Sequence, residues 1–558
     1  MRLHPLTWTL LVSCVAAVFF APTAQADDKE QEKNTVEHTA IEHIEVLGRR
    51  FIPEHQGSDG AFTLNRQFLD SLLKGNGNIS DLLTILPGVQ GAENALNVEK
   101  QAEIRSQLIS ISGAQPWQTA FVLDGFNNSS RIDPANAERA TNSINDVQGH
   151  PEAMFINQSL VGSVTVYDSN VPARFGNFVG GVVDVEMREP HQTPRFSLGY
   201  RRSQSSWNQY GFIDNLDYES NGEPIEKDVP KLPIFDKESW SFSGRLSPTK
   251  KQSLVVSAAR TTSTITELSL GESVYTQRES LSTSLRWSIR DFGVDSLTLG
   301  ASYAPYKGVH ILPNVKDSEY SQKGGGYRLH SAIQHQLGEW ASNTRLSWSH
   351  SENSRTAPNH FRAWLRAPGK DWGLNVGQTP LSSEGGYGDL DKNHESVSLS
   401  SDWNRYLGSA WGANHSVELG LSADQSTIQR DRPYSSAVYS SAYRDAAIQC
   451  GNAQLDCIEQ SYFMPLDELA AHLGGQIDLS NAEHLAAYQK NIENRGQFFT
   501  YRRIYPQENI HVDMVTAGLY GELRSEWENT TLYSGFRADY DDFLSNVNIG
   551  FRLRGDHE

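Results

Sequence analysis

Val161-Gly-Ser-Val-Thr-Val-Tyr-Asp-Ser-Asn-Val-Pro-Ala-Arg-Phe-Gly-Asn-Phe-Val-Gly-Gly-Val-Val-Asp-Val185 is the stretch that decides how this chain of 558 residues is read. Apolar and polar residues alternate at each end of it, which predicts two strands, because successive side chains of a strand point to opposite faces. Gly176, Gly180 and Gly181 break the middle and predict a turn. A second landmark, Phe121-Val-Leu-Asp-Gly-Phe126, precedes it, and about 370 residues of repeated amphipathic strands follow.

Outward from that stretch, the start of the chain sets the compartment. Arg2 and His4 form a short polar head, Leu6 to Ala21 carries no charge, and Ala24-Gln25-Ala26 is a small-x-small cleavage site. This predicts a secretory signal over 1–26, removed before Asp27. A membrane anchor is the competing reading, but the apolar run is short and broken by Thr and Ser. Cys14 suggests a lipoprotein site, yet another apolar run follows it, which favours cleavage after Ala26.

Only 38% of the residues are hydrophobic, and no segment after residue 26 approaches the roughly 18 apolar residues of a spanning helix. A β-barrel reconciles export with low hydropathy, because its strands alternate lipid-facing apolar residues with polar residues facing the lumen. The formal charge is -19, becoming -20 once Arg2 leaves with the signal, and no basic stripe points to nucleic acid. After residue 190 the period is two. Leu281, Thr283, Leu285, Trp287 and Ile289 face one way, and Ser282, Ser284, Arg286 and Ser288 the other. Val515, Ala517, Leu519, Leu523 and Trp527 likewise oppose Thr516, Tyr520, Glu522, Arg524 and Glu526. The same pattern recurs in Trp240–Leu246, Leu297–Tyr303, Val417–Ala423 and Leu532–Tyr540. A soluble sandwich also has amphipathic strands, but charges along the whole polar face fit a wet lumen better.

Tight turns are expected near Pro248–Lys251, Asp291–Val294, Gly338–Trp340, Leu407–Ala413 and Glu528–Thr530. Long connections are expected over 204–237, 262–277, 304–326, 351–394 and 426–508, in strict alternation with those turns, as in a barrel with periplasmic turns and extracellular loops. Cys450 and Cys457 fall in the longest of these. An even pair in an exported chain predicts a local disulfide; free thiols or half of a metal site are the alternatives.

Residues 27–50 are polar except for Ile44-Glu-Val-Leu47, a short β-prone run, and are expected to be mobile. Residues 51–190 are expected to form one α/β domain. In it Asn78 caps a short helix with Leu82, Leu83, Ile85 and Leu86 on one side, ended by Pro87-Gly88. Ala120–Leu123 is a buried strand ending in an Asp124-Gly125 turn.

Taken together, Ile79-Ser-Asp-Leu-Leu-Thr-Ile-Leu-Pro-Gly-Val89, the strand before Asp124-Gly125, and Arg174, Gly176, Gly180 and Gly181 resemble the plug of the TonB-dependent receptors of Gram-negative outer membranes. The resemblance implies a mainly β protein: a transmembrane antiparallel β-barrel over 191–558, closed by an N-terminal α/β plug over 51–190. It makes Ile44, Glu45, Val46 and Leu47 similar to the energy-coupling box, which adds a strand to the periplasmic TonB protein. Glu45 and Leu47 depart from the usual box, and a first plug strand is the competing reading. The plug motif maps to Leu86, Pro87, Gly88, Asp124, Gly125, Arg174, Gly176, Gly180 and Gly181, with Tyr167-Asp-Ser-Asn170 where Arg-Gly-Pro is usual. That departure leaves the subfamily and its ligand open. The expected role of the glycines is tight turns at positive φ, without ligand contact.

About twelve strands are legible, whereas a plug of this size fits a lumen of the 22-stranded class. Tyr540-Asp-Asp-Phe-Leu544 resembles a mid-barrel motif, so the expectation is a chain carrying only part of the barrel. No catalytic motif, metal set or cofactor motif stands out. Phe361-Arg-Ala363 is faintly similar to a haem-receptor box, but Trp364 replaces its Pro. The expected function is active import of a scarce substrate: a ferric siderophore or similar iron complex, a glycan or a peptide. A non-transporting outer-membrane receptor or scaffold for adhesion or signalling is the alternative. Expected partners are TonB, outer-membrane lipid and an extracellular small or medium ligand. No cofactor or nucleic acid is expected.

Overall fold

The computed structural model describes residues 60–557, apart from 73–74, 93–97, 136–143, 192, 210–232, 374, 377–378 and 452–454. The expected signal over 1–26 and the box at Ile44–Leu47 lie outside the described residues.

The alternation around Val161 becomes an antiparallel pair, β6 (Val161–Tyr167) and β7 (Val182–Met187), with Tyr167 opposite Val182. Their apolar positions are buried on both sides, since β7 also pairs in parallel with β4 (Ala120–Leu123) and β6 with β1 (Ala61–Leu64). β5 (Phe126–Asn127) completes a five-stranded sheet in the order β1-β6-β7-β4-β5. Helices α1 (Arg66–Ser71) and α2 (Ile79–Leu83) and a short ribbon of β2 (Val89–Gly91) with β3 (Ile109–Ile111) accompany it. Leu69, Leu83, Ile111, Leu160, Val164 and Val183 share one core, held by removal of apolar surface from water.

Asn78 occupies the position before α2 but does not cap it through its side chain. Its amide instead donates to Ile104 O at 2.9 Å, because the helix start is buried against the 98–106 segment and a carbonyl there needs a donor. Ile85 is exposed rather than on the packed face, since the helix stops two residues earlier.

The remaining long strands form one antiparallel sheet of twelve, each hydrogen-bonded to its neighbour in the chain. They are β8 (Arg195–Gln204), β9 (Ile234–Thr249), β10 (Gln252–Ser269), β11 (Glu272–Arg290), β12 (Ser296–His310), β13 (Tyr320–Leu337), β14 (Trp340–Thr356), β15 (Asp391–Ala410), β16 (Ala413–Arg432), β17 (Glu508–Glu526), β18 (Thr530–Asp541) and β19 (Asn546–His557). Among the described residues β8 and β19 are its two free edges. The sheet is inverted relative to a soluble protein. Ser282 is 2% exposed and Ser284 is buried, while Leu285 is 45% and Trp287 38% exposed. The concave face carries the polar set against the first sheet, and the convex face carries Leu, Trp, Phe and Val, as a lipid-facing wall requires. Among the described residues no helix is long and apolar enough to cross a membrane.

Two expected loops are corrected. Residues 262–277 are strand, and β10 turns tightly into β11 at Leu270-Gly271. Most of 304–326 is also strand, leaving 311–319 as the connection. The strict alternation of short and long connections therefore fails at β10–β11, and again at β18–β19, where only 542–545 intervene. The strands continue past the point where the apolar face ends, because a solvated antiparallel ladder needs backbone pairing and not an apolar side. Three of the other connections carry strands of their own. Segments of 311–319, 357–390 and 433–507 join in one seven-stranded sheet at the end of the wall away from the five tight turns. Cys450 is bonded to Cys457 there, and Cys457 pairs with Phe498 across that sheet.

Candidate functional site

The plug lies along the concave face of the wall, and its motif residues meet the wall directly. Asp124 and Gly125 form the two-residue turn between β4 and β5, with φ of 53° and 79°, the left-handed pair such a hairpin needs. Asp124 Oδ1 accepts Met187 N at 2.9 Å and Arg286 Nη1 of β11 at 3.1 Å. Arg345 of β14 covers Gly125 so closely that a Cβ would overlap its guanidinium. Arg345 in turn pairs with Asp402 of β15. Tyr520 of β17 points its hydroxyl at both Asp402 and Glu418, 2.7 Å from each. The turn is thus braced by a chain of charges spanning β11 to β17.

Arg174 lies on the same side. Its guanidinium is 3.7 Å from Asp184 Oδ2, donates to Tyr167 OH at 3.4 Å, and stacks 4.7 Å from the centre of Phe175. Burial opposes its charge, but Tyr167, Glu418 and Asp184 around it raise its pKa above the ordinary value. Burial pushes the Asp184 carboxyl up to about 6, with Arg174 opposing the rise.

Next to Arg174 the loop 170–175 is held by its backbone. Arg554 Nη1 of β19 donates to Asn170 O at 3.1 Å, Arg552 Nη2 to Phe175 O at 2.7 Å, and Arg537 Nη1 of β18 to Arg174 O at 2.8 Å. Glu522 of β17 accepts Ala173 N at 2.9 Å and pairs with Arg554 at 2.7 Å. Hydrogen bonds from charged donors to carbonyls are among the stronger ones, and they hold a segment whatever its side chains.

These contacts correct the expected role of three glycines. Gly176, Gly180 and Gly181 are absent from the positive-φ residues; Gly88 and Gly125 are present. The three are needed for close approach. A Cβ at Gly176 would collide with Arg537, one at Gly180 would stand 2.5 Å from Ala114 Cβ, and one at Gly181 would stand 2.5 Å from Tyr167 O. Leu86 packs against the plug core, but α2 ends at Leu83 with Thr84 at its C-cap, ahead of the expected stop at Pro87-Gly88.

The opposite end of the plug meets the outer end of the wall. Lys392 Nζ pairs with Asp146 at 2.7 Å and donates to Val147 O at 3.0 Å. Arg430 Nη2 donates to Asn145 O at 2.7 Å, and Arg432 Nη2 to Ile144 O at 3.1 Å. Below this apex sits a buried carboxyl. Glu152 accepts from Ser80 and, at 3.0 Å, from Ser106, and burial pushes it up to about 7. His150 accepts Glu152 N at Nδ1, 3.0 Å, and faces Ser106 O from Nε2 at 3.1 Å; burial holds it neutral, well below its ordinary pKa.

Reading of the sequence put Arg286, Glu522 and Tyr520 on the lumen face but could not pair them, and it passed over Arg345, Arg537, Arg552 and Arg554. Their signal is an arginine at a lumen-facing position of a period-two strand. Their partners in the plug lie 162 to 384 positions away in the chain, which no local pattern reports. Among the described residues no cluster of His, Cys, Asp and Glu has the geometry of a metal site.

No protein-family model matches this chain. Uncharacterized protein YddB of Escherichia coli is 25% identical over 553 residues, covering 96% of this chain and 60% of that protein. The crystal structure of the outer membrane transporter YddB from Escherichia coli superimposes with a TM-score of 0.68 at 21% identity, over 89% of this chain and 58% of that one. The siderophore receptor PirA from Acinetobacter baumannii gives a TM-score of 0.51 at 13% identity over 90% of this chain and 59% of that one. The ferric enterobactin receptor PfeA from Pseudomonas aeruginosa, as a mutant, gives 0.51 at 14% over 90% and 60%. The chain therefore spans about 60% of the length of the curated relative it matches. These proteins are transporters and receptors rather than enzymes. With its five-stranded plug against the polar face of an inverted β wall, the chain carries the fold of the TonB-dependent outer-membrane receptors.

Proposed function

We propose that the chain works in TonB-driven import across the outer membrane, the plug being the part that yields. The supporting observation is the nature of the plug-to-wall contact. Against β14 to β19 the plug is held by arginine and lysine side chains on its backbone carbonyls and carboxylates. Such bonds exchange for water at a net cost of about 2 kcal/mol each, so a pull from the periplasmic side can open them one after another. Against β9 to β12 apolar contacts, Ala102 with Phe235 and Ile265, and Ile104 and Phe155 with Tyr306, stand beside further charged ones, Lys237 on Gln101 O, Arg278 on Glu103 and Arg286 on Asp124.

In this reading TonB pairs with Ile44–Leu47, and the solute enters under the seven-stranded outer sheet onto the apex at 144–148. A ferric siderophore is the substrate class that the likeness to the siderophore receptor PirA and the ferric enterobactin receptor PfeA supports, at the level of a shared fold. The test is untargeted mass spectrometry of solutes removed from the medium by cells that do or do not carry the protein, each with and without TonB. Depletion of a solute only when both are present supports import. Depletion independent of TonB, or none, refutes it.

A further inference from the structure

Between the plug segment after β5 and the wall strands β13 to β16 lies a small pocket, part of it open to solvent. It is separate from the brace around Asp124 and Arg174. Arg131 of the plug and Arg328, His350 and His394 of the wall line it, with Asp424 and Ser129.

Its polar groups do not balance. Arg328 is 3% exposed and donates through Nη2 to Asn127 O at 2.5 Å, but among the described residues its Nε and Nη1 have no acceptor. His394 is 8% exposed, and its Nε2 has no partner among them either. His350 Nδ1 faces Glu395 Oε1 at 3.4 Å, and its ring stacks on Tyr327. Asp424, the carboxylate lining the pocket, is already engaged by Ser396 Oγ at 2.7 Å, Ser398 Oγ at 2.6 Å and Arg131 at 3.6 Å. Arg131 also donates to Ser426 Oγ at 3.1 Å. The pocket therefore holds buried cationic donors in excess of acceptors. A buried donor left unpaired is costly, most of all on a charged group, and native structures fill such places with an acceptor.

We propose that this pocket is an oxyanion subsite at the seam between plug and wall, taking a carboxylate or phosphate group. An oxyanion supplies several acceptor oxygens to the free Arg328 donors and, in its Nε2–H tautomer, to His394, and offsets the charge of Arg131 and Arg328, which water would leave in place. The subsite spans plug and wall, so an occupied pocket ties Asn127 and Arg131 to β13 and β15 until the plug moves. The subsite's role in capture rests on the import reading; its existence does not.

The test is isothermal titration of the full chain, folded in detergent, with inorganic phosphate and, separately, with gluconate, a carboxylate on a polyol. Phosphate without gluconate marks a free ion as occupant; gluconate binding, with or without phosphate, marks the acidic group of a larger solute. Arg328→Gln should weaken the binding about tenfold or more. His394→Gln breaks no described Nε2 bond and should weaken it by about threefold or more. Arg260→Gln, on the exposed side of β10, should leave it unchanged, and heat-dependent gel mobility verifies folding. No binding of either anion, or binding equal in wild type and both pocket variants, overturns the proposal. Because the titration needs no TonB, anion binding without import refutes the import reading alone, and import without anion binding refutes the subsite alone.

Discussion

Replacing Glu152 with Gln tests whether the plug is held together by a buried neutral carboxyl. The side chain is enclosed, with only Ser80 and Ser106 hydroxyls bonded to it, and Asp81 nearby adds repulsion. Burial therefore raises its pKa from an ordinary 4.5 to about 7. The folded plug keeps the proton over a range where the unfolded chain has lost it. Stability is full below the ordinary value, falls as pH rises between 4.5 and about 7, and is lost above that. At about 1.4 kcal/mol per pH unit the span amounts to about 3.5 kcal/mol, or about three-hundredfold in local opening.

Gln keeps an acceptor for the hydroxyls and cannot ionise. The assay is hydrogen exchange of the full chain between pH 5 and 8, corrected for the chemical exchange rate, on amides that close this region. They include Asn128 N to Phe121 O at 2.7 Å and Ala153 N to Asn128 O at 2.8 Å. Wild type should open more readily as pH rises. Glu152→Gln should lose most of that slope, keeping the smaller part from Asp81, which burial raises to about 6. Equal slopes in the two proteins would refute the reasoning.

Gly125→Ala should destabilise the plug by about 2 kcal/mol, because φ is 79° and the methyl overlaps Arg345; urea unfolding followed by tryptophan fluorescence measures it. Under the import reading, Val46→Pro removes a backbone N–H and should stop TonB-dependent uptake while surface binding persists; normal uptake would sink the coupling assignment. Peptide mapping of the oxidised protein should find Cys450 joined to Cys457. Cys450→Ser with Cys457→Ser should speed proteolysis within 433–507 and leave the wall's heat resistance unchanged, because the ring is small and local.

The sequence alone determined the class of wall and much of the plug. Period-two alternation is a local property of the chain, and lipid outside with polar groups inside is the environment that accepts Leu285 and Trp287 exposed beside buried Ser282 and Ser284. The Asp124-Gly125 turn was legible for the same reason, since left-handed φ is demanded by two adjacent residues. Tertiary structure alone decided what the motif residues do. Gly176, Gly180 and Gly181 have ordinary backbones, and what excludes a Cβ is Arg537, Ala114 or Tyr167, brought close by folding. Strand ends at 262–277 and the pairing of three distant connections into one outer sheet were also beyond local reading. A solvated ladder needs only backbone partners, and backbone leaves no mark in the side-chain pattern. The arginine grip on 170–175 acts on carbonyls that every residue carries, so its target is set by position in space and not by sequence.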